Sequence, residues 1–164
     1  MVRRTWAPKG HTPVLHHKFN WKRASLAGIC CYHPDGRDAR LLLHVQPGAY
    51  DTQTLIKVLG EFHQHVGDDK VTLLWDGLPA HRSHAMHAFL RSQRSWLVVE
   101  RLPAYAPELN PVEGVWSNLK GVELANLAGE TLRQLIHATE RGIRRIQRDD
   151  ELLFSFLRHC RLTL

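Results

Sequence analysis

Val71-Thr72-Leu73-Leu74-Trp75 is a nearly continuous apolar run that stops at Asp76. A run this short suits a strand buried on both faces of a parallel or mixed sheet. Such a strand needs helices to cover it, which commits the chain to an α/β fold. It also ends on a carboxylate, and ligands gather in the crevice outside the carboxyl ends of strands in open α/β sheets. Gly77 and Pro79 then turn the backbone away. Asp76 is therefore either an acid held at a crevice mouth or an ordinary turn or capping aspartate.

The flanking segments fit this frame. Residues 22–32 read as a strand, His33-Pro34-Asp35-Gly36 as a turn, and residues 40–45 as the returning strand of a β-hairpin. Gly48 breaks the pattern, Asp51 or Thr52 caps a helix carrying Leu55, Ile56, Leu59, Phe62 and Val66, and Gly67 closes it. After Asp76 the pattern predicts a helix over residues 80–93 and a strand over 96–99. Residues 102–110 hold Pro103 and Pro107 and are expected to be non-helical. Helix resumes at Pro111, a further helix spans 130–147, and an amphipathic stretch holds Leu152, Leu153, Phe156 and Leu157. A hairpin followed by strand–helix alternation implies a mixed sheet flanked by helices.

At 164 residues the chain suits one domain, 1–164, with one modest core. Lys plus Arg number 22 against 16 Asp plus Glu, a formal charge of +6 that favours a polyanionic partner such as nucleic acid. No apolar run is long enough for a membrane helix, and the basic start is followed by no apolar signal core, so a cytoplasmic protein is expected. Adjacent Cys30 and Cys31 point to opposite faces of a strand, Cys160 is distant, and the 12 histidines show no metal-ligand pattern beyond the three-residue spacing of His84 and His87.

A second acid stands out in Asn110-Pro111-Val112-Glu113. Asn110 is a good N-cap, Pro111 suits the first helical position, and Glu113 falls at the third. Glu113 is thus either a capping-box residue or an acid at the border of the apolar face formed by Val112, Val115, Trp116 and Leu119. Two rigidly held carboxylates, one ending a strand and one opening a helix, are the hard oxygen donors that Mg²⁺ takes alongside phosphate oxygens. Two-metal phosphoryl transfer normally uses a third acid.

Leu74-Trp75-Asp76-Gly77-Leu78-Pro79-Ala80-His81-Arg82 resembles the W-D-N-x-P-x-H motif of mariner-like insertion-sequence transposases, members of the DDE superfamily of endonucleases. Residues 102–120, from Leu102-Pro103-Ala104-Tyr105 through Asn110-Pro111-Val112-Glu113 to Leu119-Lys120, resemble their L-P-x-Y-x-P-x-L-N-P-x-E-x-x-W-x-x-L-K motif. The two acids are 113 − 76 = 37 positions apart, close to that family's spacing. Arg4-Thr5-Trp6-Ala7-Pro8-Lys9-Gly10-His11-Thr12-Pro13-Val14 resembles the segment after the family's first aspartate.

The resemblance implies a ribonuclease-H-like fold and a triad of acids holding two Mg²⁺ or Mn²⁺ ions. It implies DNA strand cleavage at transposon ends by water, then attack of the freed 3′-hydroxyl on target DNA. Asp76 would be the second metal ligand, Glu113 the third, and His81 a neighbour orienting phosphate or water. The sequence departs from the family at Gly77, where an asparagine is usual. It also opens three residues before the Arg4-Thr5-Trp6 segment, so the first aspartate and its central strand are expected to be missing. That predicts a chain inactive alone, or completed by an upstream-encoded polypeptide, with a homo-oligomer expected for the complete enzyme.

Arg141, Arg144, Arg145 and Arg148 recur at i, i+3, i+4 and i+7, opposite Leu132, Leu135, Ile136, Ile143 and Ile146. With Lys120 they form a candidate phosphate-tracking surface, or a solvated helix face. A noncatalytic DNA-binding or regulatory remnant is the alternative function, and an unrelated ribonuclease-H-like nuclease a third.

Overall fold

The hairpin arises from alternation around a turn that Gly36 closes in the left-handed region, at φ 70°. In the computed structural model, which describes residues 7–11, 24–125, 127 and 131–164, β1 (Ala24–Tyr32) and β2 (Ala39–Pro47) pair antiparallel, with Ala24 opposite Pro47 and Tyr32 opposite Ala39. Cys30 and Cys31 face opposite ways, Cys30 toward one hydrophobic cluster and Cys31 toward another. The Arg4–Val14 motif and the amino-terminal arm fall outside the described residues except at 7–11, where the His11 amide bonds the Pro8 carbonyl.

Helix α1 (Thr52–Val66) starts where the Asp51 side chain accepts the Thr54 amide, and it ends at Gly67, at φ 63°. Strands β3 (Val71–Trp75) and β4 (Leu97–Arg101) run parallel, with Val71 opposite Leu97 and Trp75 opposite Arg101. Helix α2 (His84–Ser92) connects them. The expected helix over 80–93 is interrupted. Pro79–Arg82 forms a single 3₁₀ turn, and extended Ser83 starts α2 afresh by capping the Met86 amide. The predicted strand over 96–99 is displaced to Leu97–Arg101, because the Trp96 and Leu97 amides both turn back to the Gln93 carbonyl.

The carboxyl half is α3 (Pro111–Gly121), α4 (Leu132–Ile146) and α5 (Asp150–His159). These helices cover one face of the hairpin. Leu41, Val115, Ile146 and Leu153 are fully buried there, each contributing roughly 1.5–3 kcal/mol relative to exposure. Close approach depends on two glycines. A Cβ at Gly114 would lie 2.6 Å from the Phe156 ring, and one at Gly142 2.5 Å from Leu119. Gln147 and Tyr32 complete the seam by donating to the Leu41 and Leu153 carbonyls.

Among the described residues the strands form two two-stranded ladders, β1–β2 and β3–β4. Helix α1 bridges them: its Phe62 and Val66 share one cluster with Ile29 and Leu42 of the hairpin, Val71 and Leu73 of β3, and Trp96 and Leu97 at the start of β4. Helix α4 ends at Ile146, which leaves Arg148 in the following turn, and Leu135 is 40% exposed rather than buried. Helix α4 starts with a capping box between Thr131 and Gln134.

Candidate active site

Asp76 stands immediately beyond β3, where Leu102 donates its amide to the Trp75 carbonyl and closes the ladder. Its side chain is half exposed. Oδ1 accepts the Leu78 amide at 3.2 Å, an Asx turn that the Gly77-Leu78-Pro79 sequence allows. His81 backs this turn from below. The Nδ1–H of His81 donates to the Asp76 carbonyl oxygen at 3.0 Å and lies 3.1 Å from Oδ1. Its ring is buried and stacks on Trp75, with centroids 4.1 Å apart and planes within 3°. The 3₁₀ turn is fastened to α1 by the Thr52 hydroxyl, 3.0 Å from the Ser83 hydroxyl. Oδ2 of Asp76 carries no hydrogen bond among the described residues, so one carboxylate oxygen is held and the other is open.

Glu113 opens α3, as expected, but not as a capping-box residue. The Asn110 side chain caps by accepting the Val112 amide at 3.3 Å, and the Glu113 side chain is exposed with no hydrogen bond or ion pair among the described residues. Helix α3 is seated by Val112 and Trp116, whose atoms come within 3.0 Å of a Cβ built on Gly28 of β1. The structure thus joins Asp76 and His81 directly and carries Glu113 on a separate element. No bond links Glu113 to Asp76, and no cluster of three or more His, Cys, Asp or Glu forms among the described residues. Two accessible carboxylates, neither paired with Lys or Arg, are hard oxygen donors of the kind Mg²⁺ and Mn²⁺ take.

The basic residues divide into two groups. Arg141, Arg144, Arg148 and Lys120 are exposed. Arg145 instead makes a bidentate pair with Glu123, at 2.7 and 3.3 Å, and bonds the Asn118 side chain. Glu123 is only 10% exposed, so this pair fastens α4 to the turn after α3, and the Glu123 hydrogen bond pushes the guanidinium pKa further up. Sequence reasoning missed that role. Its signal was the glutamate just beyond the end of α3, but only the fold brings it within reach of α4.

The family profile described as DDE superfamily endonuclease matches residues 1–136. The chain belongs to the DDE superfamily endonucleases. The fold agrees. The crystal structure of the Mos1 mariner paired-end complex with Mn superposes with a TM-score of 0.64 at 17% identity, covering 97% of this chain and 46% of that one. The Mos1 transposase paired-end complex with left transposon end gives 0.56 at 17% identity, covering 94% and 50%. At that identity the likeness is one of fold, the ribonuclease-H-like α/β architecture. This DDE endonuclease domain spans about half the length of the Mos1 chains it matches. No curated protein matches the sequence. No helix among the described residues is long and apolar enough to cross a membrane.

Proposed function

We propose that this chain is a DDE-type transposase domain of an insertion sequence, built for metal-dependent DNA strand cleavage and strand transfer. One observation carries the proposal: Asp76 and Glu113, the acids of two family motifs, are both accessible and unneutralised by Lys or Arg. Asp76 and Glu113 would hold Mg²⁺ or Mn²⁺, two ions in the complete site. When bound, the ions would stabilise charge on the attacking and leaving oxygens of the phosphodiester. Asp76 presents one oxygen while Leu78 and His81 hold the other, which fixes the direction of the open lone pairs. His81 works through Asp76 as a positioning residue. The exposed Arg141, Arg144, Arg148 and Lys120 supply phosphate contacts without base discrimination.

One observation favours a second function, a noncatalytic DNA-binding module. Among the described residues Asp76 and Glu113 stand on separate elements, and no cluster of three or more His, Cys, Asp or Glu forms. The assay that separates the two functions is nicking of supercoiled DNA by the whole chain in Mn²⁺, run beside cation and DNA binding. Binding of both together with nicking is expected from the transposase function, and binding of both without nicking from the second. Nicking abolished by Asp76→Asn would establish the catalytic function for the chain alone. Failure to bind Mn²⁺ or DNA would remove the transposase proposal.

A further inference from the structure

Tyr105 is the most exposed large hydrophobic side chain among the described residues, at 101% relative exposure. Its backbone is also unusual. At φ 58° it occupies the left-handed region, which is unfavourable for a bulky side chain and persists only where the surroundings enforce it. Those surroundings are visible. Pro103 and Pro107 stiffen both flanks, the Leu102 amide is tied to the Trp75 carbonyl, and the Leu109 and Asn110 amides close the next turn onto Ala106 and Pro107. A loop that uses two prolines and a left-handed residue to expose an aromatic ring gains no packing from it.

The position of the loop matters as much. Leu102 is hydrogen-bonded to the residue just before Asp76, and Tyr105 is three residues further on. At full extension that is at most ~11 Å of chain. From Tyr105 the chain passes through one 3₁₀ turn, Pro107–Leu109, to the Asn110 cap and Glu113. The ring therefore projects from the loop that runs from the end of β4, hydrogen-bonded beside Asp76, to the start of α3, which carries Glu113. Arg101, exposed just before the loop, adds a cation on the same connection.

We propose that Tyr105 is a stacking platform for an unpaired nucleobase of the DNA strand lying across the acid site. Every base has a π-face, so such a platform holds a strand without reading its sequence. The occupant is single-stranded, because bases within a duplex are already stacked on their neighbours. The proposal rests on the DNA-binding function above.

The test uses the whole chain and an oligonucleotide carrying 2-aminopurine, single-stranded or fully paired, at fixed salt. Tyr105→Phe keeps the ring, while Tyr105→Asn removes it and leaves a residue that tolerates the left-handed backbone. Fluorescence quenching and affinity on the single strand should be retained by Tyr105→Phe. With Tyr105→Asn, affinity should fall about 5- to 100-fold and quenching should disappear. The paired oligonucleotide should respond less than about twofold, and thermal unfolding of Tyr105→Asn should not be lowered. Single-strand affinity of Tyr105→Asn within twofold of the unaltered chain would overturn the platform while leaving DNA binding intact. An equal loss on single-stranded and paired DNA would also overturn it. No binding of either DNA by the unaltered chain would remove the DNA function itself, and the platform with it.

Discussion

The Nδ1–H of His81 donates to the main-chain carbonyl of Asp76 at 3.0 Å while the same nitrogen lies 3.1 Å from Asp76 Oδ1. One imidazole thus ties the end of β3 to the 3₁₀ turn and limits the rotation of the candidate metal ligand. The stack on Trp75 prevents the ring itself from turning. Replacing His81 with Ala removes a buried ring and leaves the Asp76 carbonyl without its donor. The expected cost is about 1–3 kcal/mol of stability, read from urea unfolding. Mn²⁺ affinity, read by calorimetry, should fall roughly 10- to 100-fold, the usual effect of losing an outer partner of a metal ligand. His81→Asn, which retains a donor, should recover part of the affinity. Unchanged Mn²⁺ binding in His81→Ala would limit His81 to packing.

Gly77 stands where the family carries asparagine, and the structure has room for one. A Cβ built there meets nothing within 4 Å, and the backbone is not left-handed. Gly77→Asn should therefore be tolerated, with stability unchanged or raised by about 0.4–1 kcal/mol through the unfolded chain. The amide beside Asp76 should raise Mn²⁺ affinity. A drop in melting temperature would show that the glycine is needed for the turn.

The strand ending at Asp76, the hairpin, both Asx caps and the opening of α3 were legible because each depends on neighbours in sequence. The Asp51 and Asn110 caps are set by amides three and two residues away. The interruption at Ser83 was not legible, since the apolar spacing of residues 80–93 continues through it and only the anchoring of the turn by His81 and Thr52 breaks it. The Tyr105 exposure was equally hidden, because a tyrosine between prolines reads the same whether its ring is buried or not. The basic stripe was legible as a stripe but not in its division of labour, since Arg145 finds Glu123 22 residues away.

That division gives opposite expectations within one helix. The double change Arg141→Ala, Arg144→Ala should weaken DNA binding and reduce the dependence of log affinity on log salt by up to about two phosphate contacts' worth. Stability should barely change. Arg145→Ala leaves the Glu123 carboxylate without its cation between α3 and α4, so urea unfolding should shift well to lower concentration. A stability loss from the double change, with none from Arg145→Ala, would invert the assignment.

Alkaline pH should loosen the hairpin from its helices. Burial pushes the Cys30 thiol from its ordinary 9.0 up to about 12 and Cys31 up to about 11, and it raises Tyr32 as well. The unfolded chain therefore releases protons that the folded chain retains. Stability is fully present below about pH 9 and declines as pH rises towards 11–12. Urea midpoints at pH 8 and pH 10.5 should show the fall, and Cys31→Ala should make it shallower. A flat profile would mean that the thiols are not buried.

The central claim is that Asp76 and Glu113 grip the same divalent cations. Iron-directed cleavage measures this most directly: Fe²⁺ replaces Mg²⁺ in the whole chain, ascorbate and peroxide are added, and the cut sites are mapped by mass spectrometry. Cuts in two segments, one around Asp76 and one around Glu113, both suppressed by excess Mg²⁺ and both lost in either single variant Asp76→Asn or Glu113→Gln, are the predicted result. Cuts near only one of the two acids, or unchanged by either substitution, would contradict it.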